Sequence, residues 1–66
     1  MQVRVNGQSR RLNGPVTIQG LLEELGYRNQ FVAVALNQHC VPVQQFQDKH
    51  IQDQDEIEIL APMAGG

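Results

Sequence analysis

Residues 31–36 form the longest unbroken apolar segment of the chain, with the sequence Phe-Val-Ala-Val-Ala-Leu. A strand that is apolar on both faces is normally an interior strand of a sheet covered on both sides. The whole chain has only 66 residues, and a chain of this length can build only one small core. This segment therefore predicts a sheet within a single domain, with too little remaining chain to cover both of its faces.

A helix is predicted directly before this segment. Four aliphatic residues stand at positions i, i+3, i+4 and i+7, which places them on one helical stripe: Ile18, Leu21, Leu22 and Leu25. Thr17 is the expected N-cap, and Gly26 is suited to the left-handed position that ends a helix. Because Gly20 lowers helix stability by about 1 kcal/mol relative to alanine, we expect this helix to need a sheet to pack against.

The remaining elements are predicted by alternation and turn signals. Residues 2–5 alternate, Asn6-Gly7 favours a type I′ hairpin, and a polar strand returns over residues 8–12. After the apolar segment, Asn37-Gln38 can turn the chain into residues 39–43, where Pro42 indicates an edge or an end. A loop or single turn around Phe46 follows.

The last part of the chain is predicted to form a turn, a strand and a tail. Residues 53–55, Asp-Gln-Asp, indicate the turn, and residues 56–60 alternate as a strand with Ile57 and Ile59 facing inward. Residues 62–66 have no periodic pattern.

The order of elements predicts an α+β fold, the ubiquitin-like β-grasp, with a mixed sheet of four or five strands and one helix across one face. We expect residues 1–61 to form the domain and residues 62–66 a flexible tail. A partner would cover the second face of the sheet through Phe31, Ala33 and Ala35.

Several functional classes are disfavoured by the composition. One cysteine, Cys40, permits no internal disulfide, and Cys40, His39 and His50 do not complete a metal-ligand set. The five basic residues are dispersed rather than arranged in a stripe, which argues against nucleic-acid binding. No apolar segment approaches the roughly 20 residues of a membrane span, and no signal peptide is recognisable. We expect a cytoplasmic protein that is not an enzyme, because no nucleophile–base pair or metal site is evident.

The sequence ends in Gly65-Gly66. With glycine near 7% of average usage, two terminal glycines arise by chance in roughly one chain in two hundred. Residues without Cβ let the backbone pass close to another surface. Such a terminus could carry its carboxylate into a narrow active site on another protein.

These features together resemble the ThiS family, the sulfur carriers of thiazole formation in thiamin biosynthesis, over the whole chain. The resemblance rests on the helix motif, on the strand and turn at residues 32–37, on Val41-Pro42, on the turn at residues 53–57, and on Ala64-Gly65-Gly66. Two positions depart from the family pattern. Gln54 replaces a usual glycine, and Val43 stands where a basic residue often follows the proline.

The resemblance implies a mechanism centred on Gly66. An E1-like adenylating enzyme of the ThiF type would use ATP and Mg²⁺ to activate the Gly66 carboxylate, which is otherwise a poor electrophile at pH 7. Sulfur from a cysteine-derived persulfide would convert it to a thiocarboxylate, which would deliver sulfur to a thiazole synthase of the ThiG type. The carrier itself would bind no cofactor.

The remaining candidate residues are assigned more modest roles. Gly65 and Ala64, which are small, would fit the narrow channel that leads to the partner's active site. Met63 is a candidate for contact with a partner. We expect Cys40 to pack as a small hydrophobic residue rather than relay sulfur, and His39 and His50 to be ordinary polar residues. Three alternatives stay open: a molybdopterin-synthase small subunit, a ubiquitin-like modifier with the same tail chemistry, and an interaction module with an inert tail.

Overall fold

A computed structural model describes residues 1–27 and 31–61 of the chain. Within these two ranges the chain forms seven strands, one α-helix and one 3₁₀ turn. In chain order they are β1 (Gln2–Val5), β2 (Gln8–Arg11), β3 (Val16–Thr17), α1 (Ile18–Glu24), β4 (Ala33–Leu36), β5 (His39–Val41), the 3₁₀ turn (Val43–Gln45), β6 (His50–Ile51) and β7 (Glu56–Leu60).

Five of the strands form one mixed sheet, in the order β2-β1-β7-β4-β5. The pair β1–β7 is parallel and the other neighbours are antiparallel. β3 and β6 form a separate antiparallel pair. The predicted α+β β-grasp with a mixed sheet and one helix is confirmed. β7, the last strand in the described sequence, occupies the middle of the sheet.

The hydrophobic core lies on one face of this sheet, where α1 packs. Its members are Val3, Val5, Leu12, Ile18, Leu21, Leu22, Val34, Leu36, Val41, Phe46, Ile51, Ile57 and Ile59. Ile57 and Ile59 point inward as predicted. Leu25 is only partly buried because the helix ends there.

Both ends of α1 match the sequence prediction. The Thr17 hydroxyl accepts a hydrogen bond from the Gly20 amide at 3.1 Å, and Gly26 has a left-handed φ of +93°. Gly20 has a steric role in addition to its low helix propensity. A Cβ at this position would lie 2.8 Å from Cγ2 of Val16, so the missing side chain lets the first helical turn approach β3.

The predicted turns are present, and the expected residues in them have left-handed backbone conformations. Asn6 and Gly7 have φ of 51° and 83°, and Asn37 and Gln38 have φ of 50° and 72°. Gln54 also has a φ of 72°. The turn before β7 therefore keeps the conformation that a glycine would favour, although glutamine occupies the position.

The apolar segment departs from the prediction at its start. The strand begins at Ala33, whereas Phe31 precedes it and is 90% exposed. β4 is an interior strand of the sheet, but only Val34 and Leu36 are buried, because the second face of the sheet is open within the described residues. The short β3–β6 pair was not predicted, since neither two-residue strand has a readable period.

Candidate docking face and tail exit

The face of the sheet opposite the helix carries a small apolar patch. The pairing register places Ala33 opposite Leu60, and Ala35 opposite both Glu58 and Cys40. We call Ala33, Ala35, Cys40 and Leu60 the outer patch. Leu60 is 72% exposed and adjoins the other apolar residues of the patch, and a contiguous exposed apolar patch is more informative than a single exposed side chain. Glu58 lies directly beside the patch, so one of its borders is anionic.

A shallow apolar depression of about 230 Å³ lies over this patch. Its lining consists of Asn6, Ala33, Val34, Ala35, Cys40, Glu58 and Leu60. Pockets that bind whole small molecules usually enclose about 300–1,000 Å³. The depression has the size to receive one or two side chains of another protein.

The structure brings together two of the four predicted partner residues, and a third, Met63, lies outside the described residues. Ala33 and Ala35 line the depression, whereas Phe31 is exposed before the strand and is not part of the lining. Leu60 was not singled out from the sequence. The alternating pattern of β7 could have identified it, because Glu56, Glu58 and Leu60 share the outward face and only Leu60 is apolar.

Cys40 is exposed on this face, so the prediction that it packs as a small hydrophobic residue is wrong. It lies on edge strand β5, which has no further strand beside it within the described part of the chain. His39 and His50 are exposed polar residues, as predicted.

β7 leads from the middle of the sheet to the tail. It ends at Leu60, next to the outer patch, and Ala61 is exposed. The tail residues singled out from the sequence are Pro62, Met63, Ala64, Gly65 and Gly66, and all five lie outside the described residues. Five residues span at most about 18 Å when fully extended. The position of Ala61 therefore limits where the Gly66 carboxylate can reach.

The end of β7 is held on both sides. On one side Ile59 stands opposite Val34 of β4. On the other side β1 has already turned away, and the side chain of Asn6 takes its place. The Ile59 amide donates to Oδ1 of Asn6 at 2.8 Å, and Nδ2 of Asn6 donates to the Ile59 carbonyl at 3.3 Å. We call this pair of bonds the Asn6 clamp.

The turn before β7 is organised by two carboxylates. Oδ1 of Asp53 accepts a hydrogen bond from the Gln2 amide at 2.7 Å. This bond, with a second from the Gln54 side chain, holds the pKa of the exposed Asp53 carboxyl below its usual value of 3.8. Asp55 accepts from the Gln52 amide at 2.8 Å and from Nδ2 of Asn37 at 3.0 Å. These bonds fix the start of β7 but bring no acid–base pair together.

Residues 1–27 and 31–61 contain neither a metal site nor a membrane-spanning helix. In these ranges, no group of three or more His, Cys, Asp or Glu side chains is placed to hold a metal ion. Nor is any helix of the described chain long and apolar enough to cross a membrane.

Comparison with known proteins relates this chain to a protein family. The model of the ThiS family matches residues 3–66. The sulfur carrier protein ThiS of Escherichia coli K12 is 36% identical over 66 residues, which cover all of both chains. A thiazole synthase of Paramagnetospirillum magneticum is 35% identical over the same length, which is 100% of this chain and 20% of that protein.

A solved structure has the same fold over its full length. The crystal structure of a thiamine biosynthesis protein (ThiS) from Geobacter metallireducens superposes with a TM-score of 0.84 at 29% identity, and the match covers all of both chains. The family match, the end-to-end relative and this structure agree with the resemblance found in the sequence. This chain belongs to the ThiS family.

Proposed function

We propose that this chain is a sulfur carrier that supplies sulfur for thiazole formation in thiamin biosynthesis through a thiocarboxylate on Gly66. The observation that carries the proposal is the family match, which extends to residue 66 and so includes the terminal glycines. The chain is a carrier and not an enzyme, as the relative named a sulfur carrier protein is. We assign its action to the cytoplasm, where ATP and cysteine-derived sulfur are available.

The chemistry needs two partner-catalysed steps followed by a reduction. First, an adenylating enzyme of the ThiF type joins the Gly66 carboxylate to AMP from Mg²⁺–ATP and releases pyrophosphate. Second, the outer sulfur of an enzyme persulfide attacks the Gly66 carbonyl carbon and AMP leaves. A thiol then reduces the S–S bond, becomes part of a disulfide, and leaves the sulfur on Gly66. The carrier supplies the reacting carboxyl, while ATP and Mg²⁺ are bound by the partner.

The final acceptor in this proposal is a thiazole synthase of the ThiG type. It is supported by the relative from Paramagnetospirillum magneticum, in which a segment similar to this whole chain makes up 20% of a protein named thiazole synthase. Covalent joining raises the effective concentration of two reacting parts. A fused carrier therefore delivers its reactive group to the synthase more readily than a separate carrier at the same concentration.

The outer patch is the proposed docking face for these enzymes. Docking there would bury Leu60, and full burial of such a side chain contributes about 1.5–3 kcal/mol. The patch lies at the end of β7, so a partner bound to it is also next to the tail. Because docking makes the reaction of the tail effectively intramolecular, the partner needs few contacts with the tail itself.

The terminal chemistry is tested by pyrophosphate exchange and intact mass. Wild-type protein with the adenylating enzyme should support ATP–pyrophosphate exchange, and protein from cells making thiamin should contain a fraction with one oxygen replaced by sulfur. Deletion of Gly66 should abolish exchange without changing the thermal unfolding curve. Exchange that persists without Gly66 would contradict the mechanism. Sulfur transfer to a molybdopterin precursor, with none to thiazole synthase, would favour the small-subunit alternative.

The docking face is tested with a matched pair of variants, Leu60→Ser and Val43→Ser. Both side chains are large, apolar and exposed, by 72% and 66%, but only Leu60 belongs to the outer patch. We expect Leu60→Ser to raise the KM for the carrier in the exchange assay about tenfold, because the loss of buried apolar area costs over 1 kcal/mol. Val43→Ser should change it less than twofold. Equal effects would exclude the patch as the docking face.

A further inference from the structure

The side chain of Asn6 occupies the place of a missing strand. β1 pairs in parallel with β7 at Arg4–Glu56 and Val5–Ile57, and the last backbone bond between them joins the Asn6 amide to the Ile57 carbonyl at 2.9 Å. Beyond this point β1 turns into the hairpin, while β7 continues to Leu60. The Asn6 clamp supplies both an acceptor and a donor to Ile59, the next residue whose backbone groups face that side.

The turn makes this arrangement possible. Asn6 is the first residue of the hairpin turn and has a φ of 51°, a left-handed conformation that asparagine adopts more readily than most residues. This conformation directs its side chain toward a residue 53 positions away in the sequence. A glycine would form the same turn but would lack the side chain that bonds to Ile59.

We propose that Asn6 is a positioning residue for activation of the Gly66 carboxyl, acting through the exit direction of β7. This inference rests on the proposed function. Ile59 is two residues before Ala61, and five residues then lead to Gly66. Where the end of β7 is fixed, the carboxyl samples a smaller volume near the partner's ATP. Loss of the clamp frees one edge of the strand just before the tail. A displacement of about 1 Å at a reacting group can lower a rate by about a hundredfold.

The fold contains a natural control for this proposal. Asn37 is also the first residue of a hairpin turn, with a φ of 50°. It also holds β7 by its side chain, because its Oδ1 accepts from the Glu56 amide at 2.9 Å. It acts at the start of β7, whereas Asn6 acts at the end. Asn6→Gly and Asn37→Gly therefore remove similar bonds from the same strand at different distances from the tail.

The experiment measures ATP–pyrophosphate exchange by the adenylating enzyme with each full-length variant as the varied substrate. We expect Asn6→Gly to lower kcat about tenfold or more and to change KM less than threefold. Asn37→Gly should keep kcat within twofold of the wild-type value. In parallel, hydrogen exchange should show at least tenfold faster exchange of the Ile59 amide only in Asn6→Gly, and of the Glu56 amide only in Asn37→Gly.

The outcomes separate the two proposals. If wild-type carrier supports no exchange, the proposed function fails and the role of Asn6 fails with it. If wild type is active and the two glycine variants have equal kcat values, only the positioning role is overturned.

Discussion

The contact between Gly20 and Val16 makes a quantitative prediction about stability. Replacing glycine by alanine in a helix normally stabilises it by about 0.5–1 kcal/mol. Here the added Cβ would lie 2.8 Å from Cγ2 of Val16, whereas carbon atoms prefer about 3.5–4.0 Å. Overpacking of this kind typically costs about 1–3 kcal/mol. The two terms together predict that Gly20→Ala destabilises the protein by about 1 kcal/mol.

A second substitution reverses the sign. Val16→Ala removes Cγ2, so that Gly20→Ala in this background should stabilise by about 0.5–1 kcal/mol. The coupling energy between the two positions should then be about 1–3 kcal/mol, which is within the range measured for residues in contact. For a domain of this size 1 kcal/mol corresponds to about 4–8 °C in Tm.

The assay is urea unfolding of the four proteins of the cycle, followed by circular dichroism. Equal m-values would show that the variants expose the same surface on unfolding. A Gly20→Ala effect of the same sign and size in both backgrounds would refute the steric explanation. Helix propensity alone would then explain the effect of the Gly20 substitution on stability.

Three further predictions concern the caps and turns. Gln54→Gly should stabilise the protein by about 0.5–1 kcal/mol, because glycine adopts the φ of 72° without the strain that a side chain brings; an unchanged or lower urea midpoint would contradict this. Thr17→Ala should cost about 1 kcal/mol through loss of the bond to the Gly20 amide, whereas Thr17→Ser, which keeps the hydroxyl, should be close to wild type. The folded-state pKa of Asp53 lies below its usual value of 3.8, so its charge stabilises the fold above that value. This contribution is lost as the pH falls through the folded pKa. Asp53→Asn should therefore be less stable than wild type at pH 7, and the difference in Tm should shrink on acidification below pH 4; a constant difference would argue against the Gln2 bond as its cause.

Most of the fold was predictable because local signals and the global arrangement agree. The stripe of α1, its cap at Thr17 and the two Asn-initiated turns each follow from residue chemistry that acts over a few positions. The central place of β7 was not predictable in this way. Its alternating pattern indicates a strand with one open face, but a pattern of five residues does not determine which strands lie beside it.

The candidate site was predictable to a smaller extent. Ala33 and Ala35 were found because an apolar residue on a second strand face has no core to enter. Leu60 and Cys40 were missed as members of the same patch, since their proximity arises from cross-strand register and not from sequence neighbourhood. The Asn6 clamp joins residues 53 positions apart, so that no local pattern could have indicated it.

The placement of β7 also has a consequence for biosynthesis of the protein. β1 and β4 each need this segment as a neighbour, so a nascent chain that stops before residue 56 contains two separate hairpins with exposed edges instead of a sheet. Such edges are open to incorrect pairing and to proteolysis. Chains interrupted before residue 56 would therefore be unable to form the sheet that carries the outer patch, and these defective copies would not compete for the partner enzymes.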